Sequence, residues 1–191
     1  MRLLLGLTGP PAVGKDAAAR HLIEAHGFVR LAFADEIRRA ALVLDPYVGP
    51  RGRLSEVVDL YGWDHAKSEV GEVRRLLQVL GTELGRDLHG PNVWVDRVLD
   101  AIHQFDPDQS IVVSDVRFKN EAIAIRSLGG RIVRLNRSTS SPDSVMAHAS
   151  EVESAGIRPD CVIPNHDGLA ELHGRLDRLV TRSLALRRSS C

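Results

Sequence analysis

Apolar residues arrive in short unbroken runs, and most runs are followed by a stretch with helical spacing. Leu3–Thr8 (LLLGLT) is the first, and its large aliphatics suit a parallel strand buried on both faces. Asp16–Ala25 then predicts a helix ending near Gly27. Phe28–Phe33 (FVRLAF) predicts a second strand and Asp35–Leu44 a second helix. Asp45–Arg53 holds two prolines and two glycines and predicts a loop.

Val70, Val73, Leu77 and Leu80 recur on one face of a long helix predicted from Val70 to Leu88. Arg74, Arg75 and Gln78 lie at its edge or opposite side, and a break is expected at Gly81. Asn92 is placed to cap a further helix through Phe105. Ser110–Asp115 (SIVVSD) predicts a central strand ending in an acid, and Asn120–Leu128 a helix closed by Gly129 and Gly130. Arg131–Leu135 predicts another strand. Residues 136–156 are more polar and suggest a flap with a short helix inside it. Cys161–Asn165 is the last strand and turn, and Leu169–Arg187 a terminal helix. Strands alternating with helices indicate an α/β fold with a mainly parallel sheet. No internal repeat or clear linker divides the chain.

The chain has 191 residues, 43% hydrophobic and 26% charged, which suits one domain or a core carrying a small subdomain. Twenty-five basic side chains balance 25 acidic ones. That balance gives no support for non-specific binding of polymeric nucleic acid, although local arginine clusters could meet small phosphorylated ligands. Two cysteines exclude a disulfide-rich scaffold; Cys161 reads as a core thiol and Cys191 as an exposed end. No apolar run reaches membrane-spanning length, and Arg2 leads at once into a short strand, so no membrane role and a cytoplasmic location are expected.

Gly9-x-x-x-x-Gly14-Lys15 follows an apolar strand and opens a helix, the context a phosphate-binding loop requires. Glycines allow close approach, loop N–H groups surround the anion, and the helix start favours negative charge. Lys15 can reach the terminal phosphates of a donor nucleotide. Asp16 stands where such loops usually carry Ser or Thr. A carboxylate suits Mg²⁺, so direct or water-mediated metal contact is expected; the alternative is a carboxylate that only complements the helix dipole. Asp115, ending a central strand, is a second candidate for organising metal or positioning the acceptor. No His, Cys and Asp arrangement has zinc-ligand spacing, and His148 and His166 are read as polar contacts only.

The blocks GLTGPPAVGKD, FADEIR, RRLLQVLGTELGRDLHGPNVWV, SDVRFKNEAIAIRSLGGRIVRLNR, HASE and DCVIPNHDGLAEL run in order through most of the chain. Together they resemble the bacteriophage deoxynucleoside monophosphate kinases, related in core fold to adenylate kinases. The resemblance implies a three-layer P-loop NTPase fold over 1–191, a helical acceptor-binding insertion at approximately 35–105, and a short lid at approximately 136–156. It implies transfer of the ATP γ-phosphoryl group to a deoxynucleoside monophosphate with Mg²⁺, in a host-cell cytoplasm if phage-encoded. A homodimer is compatible with it.

Carried over position by position, Gly9, Ala12, Val13, Gly14, Lys15 and Asp16 would hold the donor phosphates, with Asp16 and Asp115 serving the metal. Asp16 matches the GKD form of this family's loop. Asp35 and Arg38 fall at the start of the acceptor-side helix; Asp35 could orient the acceptor phosphate, fix an arginine or simply cap. Arg74 and Gln78, then Thr82 and Arg86, form i,i+4 pairs that could line an acceptor pocket. Trp94 could stack on the acceptor base or belong to the core. Trp63 and Tyr61 could wall the sugar. Arg117 could neutralise charge near the phosphoryl bridge, with Glu121 holding it by an i,i+4 contact. Arg134 and Arg137 flank the flap, where one or both could close over ATP as lid arginines do in related kinases. Arg137 is the preferred donor-side arginine, Arg134 is divided between the sheet edge and phosphate, and Asn165 lies where donor adenine would sit. The alternatives are a dephospho-coenzyme A kinase-like enzyme, which the TELGR and DVRFKNE blocks disfavour, and a non-catalytic nucleotide-dependent switch.

Overall fold

The aliphatic run at the start of the chain becomes β1 (Leu4–Thr8), every residue of which is buried. It lies at the middle of a five-stranded sheet in the computed structural model, which describes residues 2–137 and 153–188. The other strands are β2 (Val29–Leu31), β3 (Ile111–Val113), β4 (Arg131–Asn136) and β5 (Cys161–Pro164). Their order is β2–β3–β1–β4–β5, and every pairing is parallel. β1 therefore has β3 on one side and β4 on the other, and both neighbours arrive from later in the chain. Parallel pairing requires crossover connections, so all strand carboxyl ends share one edge, where ligands of open α/β sheets bind.

The helices are α1 (Lys15–His26), α2 (Phe33–Leu44), α3 (Leu54–Glu69), α4 (Gly71–Gln78), α5 (Val93–His103), α6 (Lys119–Ser127) and α7 (Leu169–Arg188). The chain divides into two compact units. The first comprises Met1–Ala32 and Leu99–Cys191, and the second Phe33–Val98, against the insertion expected at 35–105. No helix among the described residues is long and apolar enough to cross a membrane.

In the first unit, one sheet face is covered by α1 and α7. Leu5, Leu7, Val112, Val133, Leu135 and Ile163 from the strands join Leu22 of α1 and Leu172 and Leu176 of α7 in one buried cluster. Gly6 serves the opposite face. A Cβ there would lie 2.7–2.9 Å from side-chain atoms of Ile125, Ile132 and Val116, so α6 can pack tightly on β1 only because that position has no side chain. Each large aliphatic buried in this way resists truncation by about 2–5 kcal/mol.

The second unit is helical, with a separate core formed by Ala41, Val48, Leu54, Val57, Ala66, Val70, Val73 and Leu80. α3 occupies a stretch without a predicted element. It bends at Gly62, whose φ of 71° and ψ of 162° interrupt the helix. The expected break at Gly81 does not occur. α4 continues directly into a π-helical segment, Val79–Leu88, in which the backbone bonds widen to i→i+5. Two glycines of that segment permit close neighbours: a Cβ on Gly81 would approach Ile37 Cδ1 at 3.1 Å, and one on Gly85 would approach Trp94 Nε1 at 2.5 Å.

Candidate active site

The chain leaves β1 at Thr8 and re-enters helix at Lys15, and the connecting loop is held in an unusual backbone path. Gly9 has φ 134°, Ala12 φ 55° and Gly14 φ 102°. Glycine is required twice over at the two ends. A Cβ on Gly9 would lie 2.5 Å from the Leu135 carbonyl oxygen, and one on Gly14 would lie 2.6 Å from Asn165 Nδ2. Lys15 folds back across the loop and donates from Nζ to the carbonyls of Gly9 (2.8 Å) and Pro10 (2.7 Å). Asp16 is exposed in the first turn of α1, where the positive end of the helix favours a carboxylate. Thr8 ends β1 fully buried, and its Oγ1 has no hydrogen-bonding partner among the protein atoms. Sequence reading passed over Thr8, whose signal was its place immediately before the loop glycine.

Asp115 lies at the same edge of the sheet. β1 and β3 run in register with Gly6 opposite Val113, and the Val116 N–H donates to the Leu7 carbonyl at 3.0 Å. The turn that follows is pinned by Glu121, a fully buried carboxylate that accepts the backbone N–H groups of Arg117 (2.7 Å) and Phe118 (3.0 Å). The expected i,i+4 contact between Glu121 and Arg117 is present and is made to the Arg117 main-chain N–H, with Phe118 N–H sharing the same carboxylate at the start of α6. Arg117 itself is exposed.

The two lid-side arginines are used differently from one another. Arg134 donates to the carbonyls of Ser154 (2.7 Å), Ala155 (3.3 Å) and Ile157 (2.7 Å). These bonds fasten residues 154–157 to β4, the sheet-edge part of the divided role expected for Arg134. Arg137 is exposed and donates from Nε to the Asn165 carbonyl at 3.2 Å. Residues 138–152 of the expected flap, His148 included, lie outside the described residues.

Asn165 departs from its expected adenine contact. It is buried just beyond β5, and its Nδ2 donates to the Val13 carbonyl at 2.9 Å. Its own N–H donates to Asn136 O at 2.7 Å. Arg175 of α7 steadies the same turn by donating to the Pro164 carbonyl and to Asp167. Asn165 thus anchors the phosphate loop from behind.

The acceptor-side candidates all belong to the second unit. Arg38 donates to Asp35 at 3.2 Å and lies 5.6 Å from the Trp63 ring centroid, so Asp35 fixes an arginine as one expectation held. Arg74 and Gln78 are exposed on α4, and Thr82 is exposed on the π-helical segment. Arg86 donates to the Pro91 carbonyl at 3.1 Å. Trp94 is buried and gives its indole N–H to the Gly81 carbonyl at 2.9 Å, the core role of the two expected for it.

A glycine-bounded loop joining a buried parallel strand to a helix, with a lysine at the helix start and an acid in the turn just beyond the adjacent strand, defines the class as a P-loop kinase fold. The shikimate kinase from Aquifex aeolicus shares that fold at TM-score 0.50 and 11% identity, covering 96% of this chain and 99% of the other. Residues 63–176 match the family described as deoxynucleotide monophosphate kinase, more than half of the chain, and the chain belongs to that family. A protein of Acanthamoeba polyphaga mimivirus with the same family description is 29% identical over 91% of this chain and 94% of its own length. The deoxynucleoside-5′-monophosphate kinase of Escherichia phage T5 is 35% identical over 82 residues, covering 43% of this chain and 31% of the phage enzyme.

Proposed function

We propose that this protein transfers the γ-phosphoryl group of ATP to a deoxynucleoside 5′-monophosphate, giving the diphosphate and ADP, with Mg²⁺ as cofactor. The observation that carries this reading is the Gly9–Asp16 loop, built with its lysine and acid at the start of α1, in a chain of the deoxynucleotide monophosphate kinase family.

The donor set suits magnesium: Asp16 offers an exposed carboxylate, Asp115 a second one, and Thr8 a buried hydroxyl with no protein partner. Magnesium, when bound, neutralises charge on the phosphate oxygens. The chain's own groups do the rest by positioning and electrostatics. Lys15 exchanges the Gly9 and Pro10 carbonyls for phosphate oxygens, and the N–H groups at the start of α1 face the same anion. Arg117 and Arg137, both exposed, offset charge that develops during transfer. The acceptor phosphate is already ionised near neutrality, so no protein nucleophile is needed. On the second unit, Arg38, held by Asp35, with Arg74, Gln78, Thr82 and Arg86, supplies acceptor contacts.

The test is a transfer assay with ATP and each deoxy- and ribonucleoside monophosphate, with and without Mg²⁺, detecting the diphosphate directly. Magnesium-dependent formation of deoxynucleoside diphosphate is expected. Verified ATP binding with no diphosphate across the panel would overturn the reading and move the search to coenzyme precursors or a switch partner.

A further inference from the structure

A second group of metal-binding side chains lies away from the phosphate loop. His21 and His26 on α1 both direct Nε2 to one carboxylate oxygen, Oδ1 of Asp177 on α7, each at 2.7 Å. The three donor atoms lie within 4.8 Å of one another. His173, one turn before Asp177 on α7, stacks flat on His21 with ring centroids 4.0 Å apart and planes 6° apart, which fixes the plane of the His21 ring. The buried neighbours Leu22 and Leu176 pack in the same core cluster and hold α1 against α7 at this level. The ligands are therefore preorganised by apolar packing.

No zinc-ligand spacing is visible along the chain because the third donor is 151 residues from His26. Only the packing of α7 on α1 makes a two-histidine, one-carboxylate set. That chemistry suits a borderline transition-metal ion such as Zn²⁺ or Co²⁺, not Mg²⁺, which prefers oxygen ligands. The site is also separate from the nucleotide loop: His21 is six residues beyond Lys15, about 9 Å along the helix axis, and His26 about 17 Å.

We propose that His21, His26 and Asp177 bind one zinc-class divalent ion that clamps the terminal helix α7 to α1. Zinc bonds of about 2.0–2.1 Å in tetrahedral geometry need donor atoms about 3.3 Å apart, so the contacts open by roughly half an ångström on binding. Asp177 is 48% exposed and has room to make that shift. On binding, each neutral imidazole adopts the Nδ1–H tautomer, so that its Nε2 lone pair and the Asp177 carboxylate turn from one another to the ion. The fourth position is left to water.

The experiment uses the full chain stripped with chelator and returned to excess Mg²⁺, so that oxygen-rich sites are filled. Co²⁺ is titrated in and followed by visible absorption, and Zn²⁺ is then used to displace it. One Co²⁺ per chain is expected, with Asp177→Asn and His26→Gln each weakening binding by roughly tenfold or more. Zn²⁺ should also raise the melting temperature of the parent protein and not of the variants. Both substitutions are at partly exposed positions, and circular dichroism identifies any variant that fails to fold, leaving the other to decide. A Co²⁺ spectrum unchanged in the folded variant, or no binding by the parent protein beyond that of the variant, would overturn the proposal and leave the cluster a hydrogen-bonded triad alone.

Discussion

The side-chain amide of Asn165 donates to the main-chain carbonyl of Val13 at 2.9 Å, across 152 residues of sequence. That bond joins the turn after β5 to the loop that carries Lys15. The main-chain carbonyl of the same residue accepts from Arg137 Nε, so Arg137 and the phosphate loop meet at one buried residue, through its backbone and its side chain respectively. Its Oδ1 has no protein partner, which leaves the Nδ2 bond as the side chain's link to the loop.

Replacing Asn165 with Ala should lower stability by about 1 kcal/mol, the net value of one hydrogen bond. The larger effect should fall on nucleotide binding, with the KM for the donor rising more than that for the acceptor. Asn165→Asp should be worse, because it sets a second acceptor against the Val13 carbonyl. Steady-state kinetics in both substrates decide the matter, and an unchanged donor KM in both variants would remove Asn165 from the loop's support.

Asp16 is tested through its metal. Asp16→Asn keeps an oxygen ligand and loses the charge, so the Mg²⁺ concentration giving half-maximal turnover should rise while the fold is unaffected at this exposed position. Magnesium dependence identical to the parent's would return Asp16 to a purely dipolar role at the start of α1.

Trp94→Phe separates the core role from base stacking. It removes the bond to the Gly81 carbonyl and part of a buried ring, and should destabilise by about 1–3 kcal/mol with little change in acceptor KM. A rise in acceptor KM at unchanged melting temperature would show that the indole meets substrate.

A pH effect is built into the second unit. The backbone N–H of Ser55 holds the Asp45 carboxyl below its ordinary value, and the Arg53 guanidinium adds a smaller push in that direction. Because the folded-state value is depressed, the contribution is complete above the unfolded value near 3.9 and disappears as pH falls through the folded one. Asp45 has φ 40°, a backbone that Asn tolerates, so Asp45→Asn isolates the charge. The melting temperature of the parent should exceed that of the variant at neutrality, and the gap should narrow as pH falls below the ordinary carboxylate range. A gap that stays constant over that range would refute the assignment.

What the sequence determined by itself was local or periodic. Runs rich in aliphatics marked β1 and β3 because a strand buried on both faces has no room for polar alternation. The loop from Gly9 to Lys15 was legible because its glycines, lysine and flanking elements are contiguous. What only the tertiary structure decided depends on partners far apart in sequence. Asn165 meets Val13, Glu121 turns to main-chain N–H groups, and Arg134 ties down residues 154–157. The π-helical stretch from Val79 to Leu88 also lacked a local signal, since Gly81 read as a break. There the glycines admit Ile37 and Trp94 at close range, and a close approach of that kind is defined by the neighbours that pack into it. His21, His26 and Asp177 illustrate the same limit: helical periodicity sets α1 and α7 separately, and only their packing brings the three donors together.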